Sequence, residues 1–196
     1  MFILNTCGVD NFFDNFKLTT LKAYITNIDM YKLPRYHQTM KILVFSDSHK
    51  NIERMELAAQ QENPDAIIHL GDHFADAIEL QKRLPEIVFY MVLGNCDAFS
   101  VGKPEIVLPV ENVKILLTHG HQYSVKSGIS KLAFKAAGLG VNLVLYGHTH
   151  NAEIRELHGV TLVNPGQFEM HTDNTPASYG IVEIENGKFN CSIVYL

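Results

Sequence analysis

Residues 40–49 read MKILVFSDSH. Lys41–Phe45 forms a continuous apolar strand rather than an alternating one, the pattern of a strand covered on both faces. It stops abruptly in Ser-Asp-Ser-His, so Asp47 and His49 stand just past the carboxyl end of the strand. The same design recurs downstream. Ile52–Gln61 places Ile52, Met55 and Ala59 on one helical face and closes at Asn63-Pro64. Ala66–Leu70 is the next buried strand, Ala75–Arg83 a helix, and Ile87–Leu93 a third strand. Strand–helix–strand repetition with unbroken apolar strands predicts a parallel sheet covered by helices.

The later chain changes character. Glu105–Pro109 and Val113–Thr118 pair across a short turn. Ser127–Ala137 is a helix with Ile129, Leu132, Ala133 and Ala136 inward, ended by Gly-Leu-Gly. Asn142–Tyr146 is another buried strand, and short strands follow at Ala152–Leu157 and Val160–Val163. Tyr179–Ile184 and Phe189–Val194 form a hairpin around Asn186-Gly187. The fold class expected is mixed α/β, two sheets packed as a sandwich with helices outside.

The 196-residue chain suits one compact domain with length to spare. The regular alternation begins at Met40, so residues 40–196 are the expected domain and residues 1–39 an appended arm. Within that arm Leu18, Leu21, Ile25 and Ile28 fall at helical spacing, and Pro34 ends anything regular. No apolar stretch approaches the ~18 residues of a membrane span, and the amino terminus lacks the basic start of a secretory signal. A net charge of −5 without a Lys/Arg cluster argues against capture of long nucleic acid. Three scattered cysteines, Cys7, Cys96 and Cys191, suit reduced thiols and a cytoplasmic location.

Polar clusters interrupt the apolar framework, each after an expected strand: Asp47 and His49, Asp72, Asn95, His119 and His121, His148 and His150. Loops at the carboxyl ends of parallel strands meet at one edge of a sheet, so groups distant in sequence converge. Asp-x-His and His-x-His put two ligands on one side of an extended chain. Carboxylate, imidazole and amide oxygen together suit a borderline divalent cation, and no thiolate-rich structural zinc set is present. Leaving His121 aside, these seven candidate ligands exceed the needs of one ion and suit two, ~3.5–4 Å apart. A lone Gly-Asp is ordinarily a turn and a lone His-x-His a polar strand edge. Five clusters at five strand ends are a site.

The order Asp-x-His, Gly-Asp, Gly-Asn-x-Asp, His-Gly-His, Gly-His-x-His resembles the calcineurin-like metallophosphoesterase superfamily, and from Met40 the compact length is similar to its small bacterial and archaeal phosphodiesterases. The resemblance implies a four-layer α/β/β/α sandwich. It implies one metal held by Asp47, His49, Asp72 and His150, a second held by Asp72, Asn95, His119 and His148, and Asp72 bridging. It implies two divalent ions, Mn²⁺ foremost, with Ni²⁺, Fe²⁺, Zn²⁺ and Mg²⁺ as alternatives. The activity implied is hydrolysis of a small phosphate ester by a metal-bridging hydroxide, with Asn95 in the catalytic set. A phosphomonoesterase and a non-catalytic scaffold of the same fold, such as the retromer subunit, are the alternatives; a homo-oligomer stays open.

Many relatives carry His where this chain has Cys96. A thiol with a pKa of ~8.5 is a weak leaving-group acid, so Cys96 is expected to pack beneath the metals as neither nucleophile nor ligand. His121 is the spare catalytic candidate, either for phosphate contact or for protonating the leaving group. His73 and Asp97 are lesser candidates, His69 a satisfied core residue, and His37, His158 and His171 surface. Asn164-Pro165-Gly166 is a turn, and Gln167 has no assigned role.

Overall fold

The computed structural model describes residues 39–169 and 176–196, and Thr39–Leu196 forms one compact unit. The arm, its helical spacing, His37 and His171 lie outside the described residues.

Among the described residues, ten strands and three α-helices follow one another in the expected alternation. Strand β1 (Met40–Phe45) leads to α1 (Ile52–Glu62), β2 (Ala66–His69), α2 (Phe74–Arg83) and β3 (Val88–Met91). The second half holds β4 (Glu105–Val110), β5 (Val113–Thr118), α3 (Ser130–Gly138) and β6 (Leu143–Leu145). It closes with β7 (Glu153–Leu157), β8 (Val160–Asn164), β9 (Ser178–Glu185) and β10 (Lys188–Tyr195).

The strands form two five-stranded sheets, in the orders β10-β9-β1-β2-β3 and β4-β5-β6-β8-β7. Both are mixed. In the first, β1–β2 and β2–β3 are parallel and the β9–β10 hairpin adds antiparallel to β1. In the second, β5, β6 and β8 run parallel, with β4 and β7 antiparallel at the edges.

Why β1 is apolar throughout is now visible. Ile42 and Val44 face the core between the sheets, where Ile68 and Ile184 of their own sheet meet Ile115, Leu117, Leu143 and Leu145 of the other. Leu43 and Phe45, on the opposite face, pack against Met55 and Ala59 of α1 and Leu80 of α2. Leu116, Val144 and Leu162 turn outward from the second sheet onto Leu132, Ala133 and Ala136 of α3. Helices, sheet, sheet and helix make the four layers, and period-2 alternation gives each central strand two buried faces.

Element ends depart from the sequence reading where backbone chemistry intervenes. Helix α1 ends at Asn63, left-handed at φ 46°, whose N–H bonds Ala59 O at 2.9 Å. Helix α3 starts at Ser130 rather than Ser127, because Gly128 sits at φ 138° and divides it from a 3₁₀ turn over Val125–Ser127. Strand β3 covers Val88–Met91 instead of Ile87–Leu93, since the chain already begins to turn toward Gly94.

Candidate metal centre

The loops after β1, β2, β3, β5 and β6 supply Asp47 and His49, Asp72, Asn95, His119 and His121, and His148 and His150. Their backbone is unusual. Asp47 (φ 52°), His49 (45°), Asp72 (52°), His148 (70°) and His150 (64°) all lie in the left-handed region. That conformation costs an L-residue about 1–3 kcal/mol and survives only where surroundings impose it; such strain gathers at functional sites. It also corrects the extended-chain argument. His148 and His150 do not share a side: the turn sends them to different groups.

One group gathers Asp47, His49 and His150, the other Asp72, His119 and His148. Within each, one ligating atom per residue lies within 4.8 Å of the other two. Asn95 joins the second group, its Oδ1 3.1 Å from His119 Nε2. The groups are linked through Asp47 Oδ2, which accepts the backbone N–H of His148 at 3.2 Å.

The donor set fits cations. His119 Nδ1 lies 2.9 Å from the carbonyl of Leu70 and donates to it, which aims Nε2 at Asn95 Oδ1 and, at 3.4 Å, at Asp72 Oδ2. Three acceptors thus converge unless a proton or a cation lies between them. Burial opposes charge on His119, yet the facing carboxylates of Asp72 and Asp47 outweigh it and raise the pKa. Asp47 is fully buried, and no hydrogen-bond donor is aligned on its Oδ1, which faces His150 Nε2 at 3.2 Å. Burial pushes the Asp47 and Asp72 carboxyls up, but facing imidazoles and donors hold both below the usual range. Buried acceptors pointing at one another are a cost that a divalent ion removes.

Residues 40–187 match the calcineurin-like phosphoesterase superfamily domain. The chain belongs to this superfamily. It is 34% identical to a probable metallophosphoesterase of Bacillus subtilis, over 75% of this chain and 86% of that one. It is 26% identical to a phosphodiesterase of Methanocaldococcus jannaschii, over 76% and 96%. Among solved structures it resembles a conserved Streptococcus pneumoniae protein described as a predicted phosphoesterase. There the TM-score is 0.66 at 24% identity, with 81% of this chain and 90% of that one covered. Phosphoester hydrolysis is the activity these relatives share by name, and the first is named a metallophosphoesterase.

In this phosphoesterase Cys96 differs from expectation. It is exposed, not packed beneath the centre. Its backbone N–H donates to Asp72 Oδ1 at 2.8 Å. The Asp72 carboxylate, then partial burial and the charges of Asp97 and Asp47, push the thiol up to about 11. A thiol so raised is no nucleophile at neutral pH. His121 opens a 3₁₀ turn rather than extending β5, yet its ring reaches 5.5 Å from His119 and 6.1 Å from His148. Its buried Nδ1 has no partner. Burial, with positive charge on His119, lowers its pKa.

The ligand loops rest on a set of supporting residues, of which Ser48 and Asp76 escaped the sequence reading. Ser48 Oγ donates to Asp76 Oδ2 at 2.7 Å, and His69 Nε2 stands 3.1 Å from Ser48 Oγ. His69 Nδ1 in turn accepts the N–H of Gly71, so one buried imidazole ties the Asp47 and Asp72 loops together. Burial pushes His69 down to about 4, which keeps it neutral for both contacts. Asn164 bonds Gly147 O at 3.0 Å and Thr149 Oγ1 at 2.9 Å, bracing the loop of His148 and His150. Asp97 bonds neither Asn95 nor, through its side chain, the turn that follows: its oxygens take the N–H groups of Gly94, within its own turn, and Phe74, both at 2.8 Å. The sequence already marks His69 as a satisfied core residue, Asp97 as a lesser candidate and Asn164 as part of a turn. An Asp in a helix's first turn is unremarkable, so Asp76 gave no signal.

Proposed function

We propose that this chain is a metal-dependent phosphodiesterase whose centre holds two divalent cations, manganese foremost. Asp47, His49 and His150 would hold one and Asp72, Asn95, His119 and His148 the other, with Asp72 shared. Two such ions supply the charge that draws in phosphoryl oxygens and lowers the pKa of water near an anionic ester.

The chain's own residues do the rest. Asp47 and Asp72 are the only anions among the ligands, so the loaded site keeps a positive balance that selects an anionic ester. His119, fixed by Leu70 O, presents Nε2 in one orientation. His121, neutral at ordinary pH, donates a hydrogen bond to a phosphoryl oxygen. With Cys96 held as a thiol, no strong leaving-group acid stands in the site among the described residues, and esters of acidic alcohols and phenols are the best substrates.

The observation that carries this reading is the pair of three-ligand groups on strained loops at one rim. Chelated protein should hydrolyse bis(p-nitrophenyl) phosphate only after Mn²⁺ is restored, and His148→Ala or Asn95→Ala should remove that activity. Equal rates in chelated and loaded protein would refute it.

A further inference from the structure

A cleft of about 300 Å³ opens beside the two ligand groups, lined by His73, Ala75, Cys96, Asp97, Phe99 and Ser100. Its walls touch both groups. The His73 ring lies 4.4 Å from that of His49, and the Cys96 N–H is bonded to Asp72. An ester arm leaving the phosphate on this side therefore enters the cleft.

Phe99 stands fully exposed at the mouth, and Val101 beside it likewise. This is not a loose loop carrying a stray apolar group. Leu93 N–H bonds Lys103 O at 2.9 Å across the base of the turn, and Ser100 N–H bonds Asp97 O at 2.9 Å within it. Asp97 itself is buried and anchored to Gly94 and Phe74. Gly102 lies so close to Phe74 and Leu93 that a Cβ there would come within 3.1 Å and 3.2 Å of them. A rigid turn thus holds one aromatic ring in water, edge to edge with a cleft that runs to the metal ligands.

The charge of the cleft narrows the occupant. Among the described residues no Lys or Arg lines it, and both oxygens of Asp97 are taken by backbone donors. A second phosphate or a carboxylate would find no counter-ion. A neutral planar ring would find a face to stack on, with His73 and Ser100 as edge hydrogen-bonding groups. We propose that this cleft is the substrate-selecting subsite for a phosphate ester with a neutral planar aromatic arm, a nucleobase or a simple aryl group, stacked on Phe99. The proposal rests on the phosphodiesterase reading above and deepens it.

Binding of product-like monoesters tests it without turnover. Manganese-loaded full-length protein is titrated by calorimetry with adenosine 5′-monophosphate, phenyl phosphate and ethyl phosphate, in wild type, Phe99→Ala and Phe99→Tyr. Both ring esters should bind about tenfold more tightly than ethyl phosphate, as one stacking contact gives. Phe99→Ala should erase that advantage and leave ethyl phosphate unchanged, and Phe99→Tyr should keep it. A gain for adenosine alone assigns a nucleoside arm, and an equal gain for both a general aryl arm. Three equal affinities in wild type, or an advantage that survives Phe99→Ala, overturn the proposal. So does a fall in sedimenting mass in Phe99→Ala, which gives the ring to a contact between copies. Mn²⁺-dependent binding of ethyl phosphate reports separately on the underlying phosphodiesterase reading.

Discussion

Cys96 shows how one side chain can look reactive in sequence and be inert in place. Exposure would favour reaction, but the carboxylates around it hold the proton on sulfur. In chelated protein, iodoacetamide should modify Cys96 slowly at neutral pH. The rate should rise about tenfold per pH unit until the thiol titrates at about 11. Peptide mass spectrometry at several pH values reads this directly, and fast labelling at pH ~7 would contradict the raised value. His121 carries the opposite expectation. Its unpartnered Nδ1 and its place beside His119 and His148 give it a contact with the bound ester, not with the ions. His121→Ala should therefore lower kcat about ten- to a hundredfold while bound manganese, counted by elemental analysis, stays unchanged; one lost charge-assisted hydrogen bond is of that size. Lost metal would make it a ligand instead.

At the scale of elements, the site exists because three glycines let loops approach more closely than any side chain allows. A Cβ on Gly94 would sit 2.1 Å from Asp72 Oδ1, and one on Gly147 would sit 1.9 Å from Ser46 Oγ and 3.0 Å from Asp47 Oδ2. At Gly71 it would meet Gly94 N at 2.4 Å. Gly94→Ala and Gly147→Ala should each lower Tm and manganese content together, at a cost of about 1–3 kcal/mol as for other overpacked positions. Gly138, at the end of α3, has nothing within 4 Å of a Cβ, and Gly138→Ala should hold or raise Tm by the helix-propensity difference. Thermal melts with metal analysis separate the outcomes, and an unchanged Gly94→Ala protein would remove close approach from the account. The sequence made these elements legible because apolar period and strand-end polarity are local signals. MKILVFSDSH alone announced a doubly covered strand with Asp47 at its end. Long-range support was not legible. Asp76 meets Ser48 across 28 positions and His119 meets Leu70 across 49, contacts that only the sheet order creates. Spacing alone did not reveal that left-handed turns part His148 from His150, a division that only the family resemblance implied.

Across the whole molecule, two sheets each bring parallel strand ends to one rim, so β1, β2 and β3 of one sheet face β5 and β6 of the other around a buried cluster of opposed charges. In chelated protein, protons do part of the work that a bound cation would do. Carboxyls held low, Asp47 and Asp72, stabilise the fold above their unfolded pKa and lose that contribution as pH falls. Imidazoles held high behave the other way. His150, raised by the Asp47 carboxylate it faces at 3.2 Å, and His119, raised against burial by Asp72 and Asp47, contribute below the unfolded value of ~6.5 and lose it as pH rises through the folded one. Cation binding needs those same imidazoles deprotonated, so it strengthens over the range in which the proton-held pairs dissolve. The Tm difference between manganese-saturated and chelated protein should therefore widen from about pH 6 to about pH 8. Calorimetry in buffers of different ionisation enthalpy should detect proton release on manganese binding at the lower pH. His119→Gln should flatten the widening, because it removes the raised imidazole from the second group. A Tm difference that stays level or narrows across that interval would mean that the opposed charges at the rim are not where the ions bind.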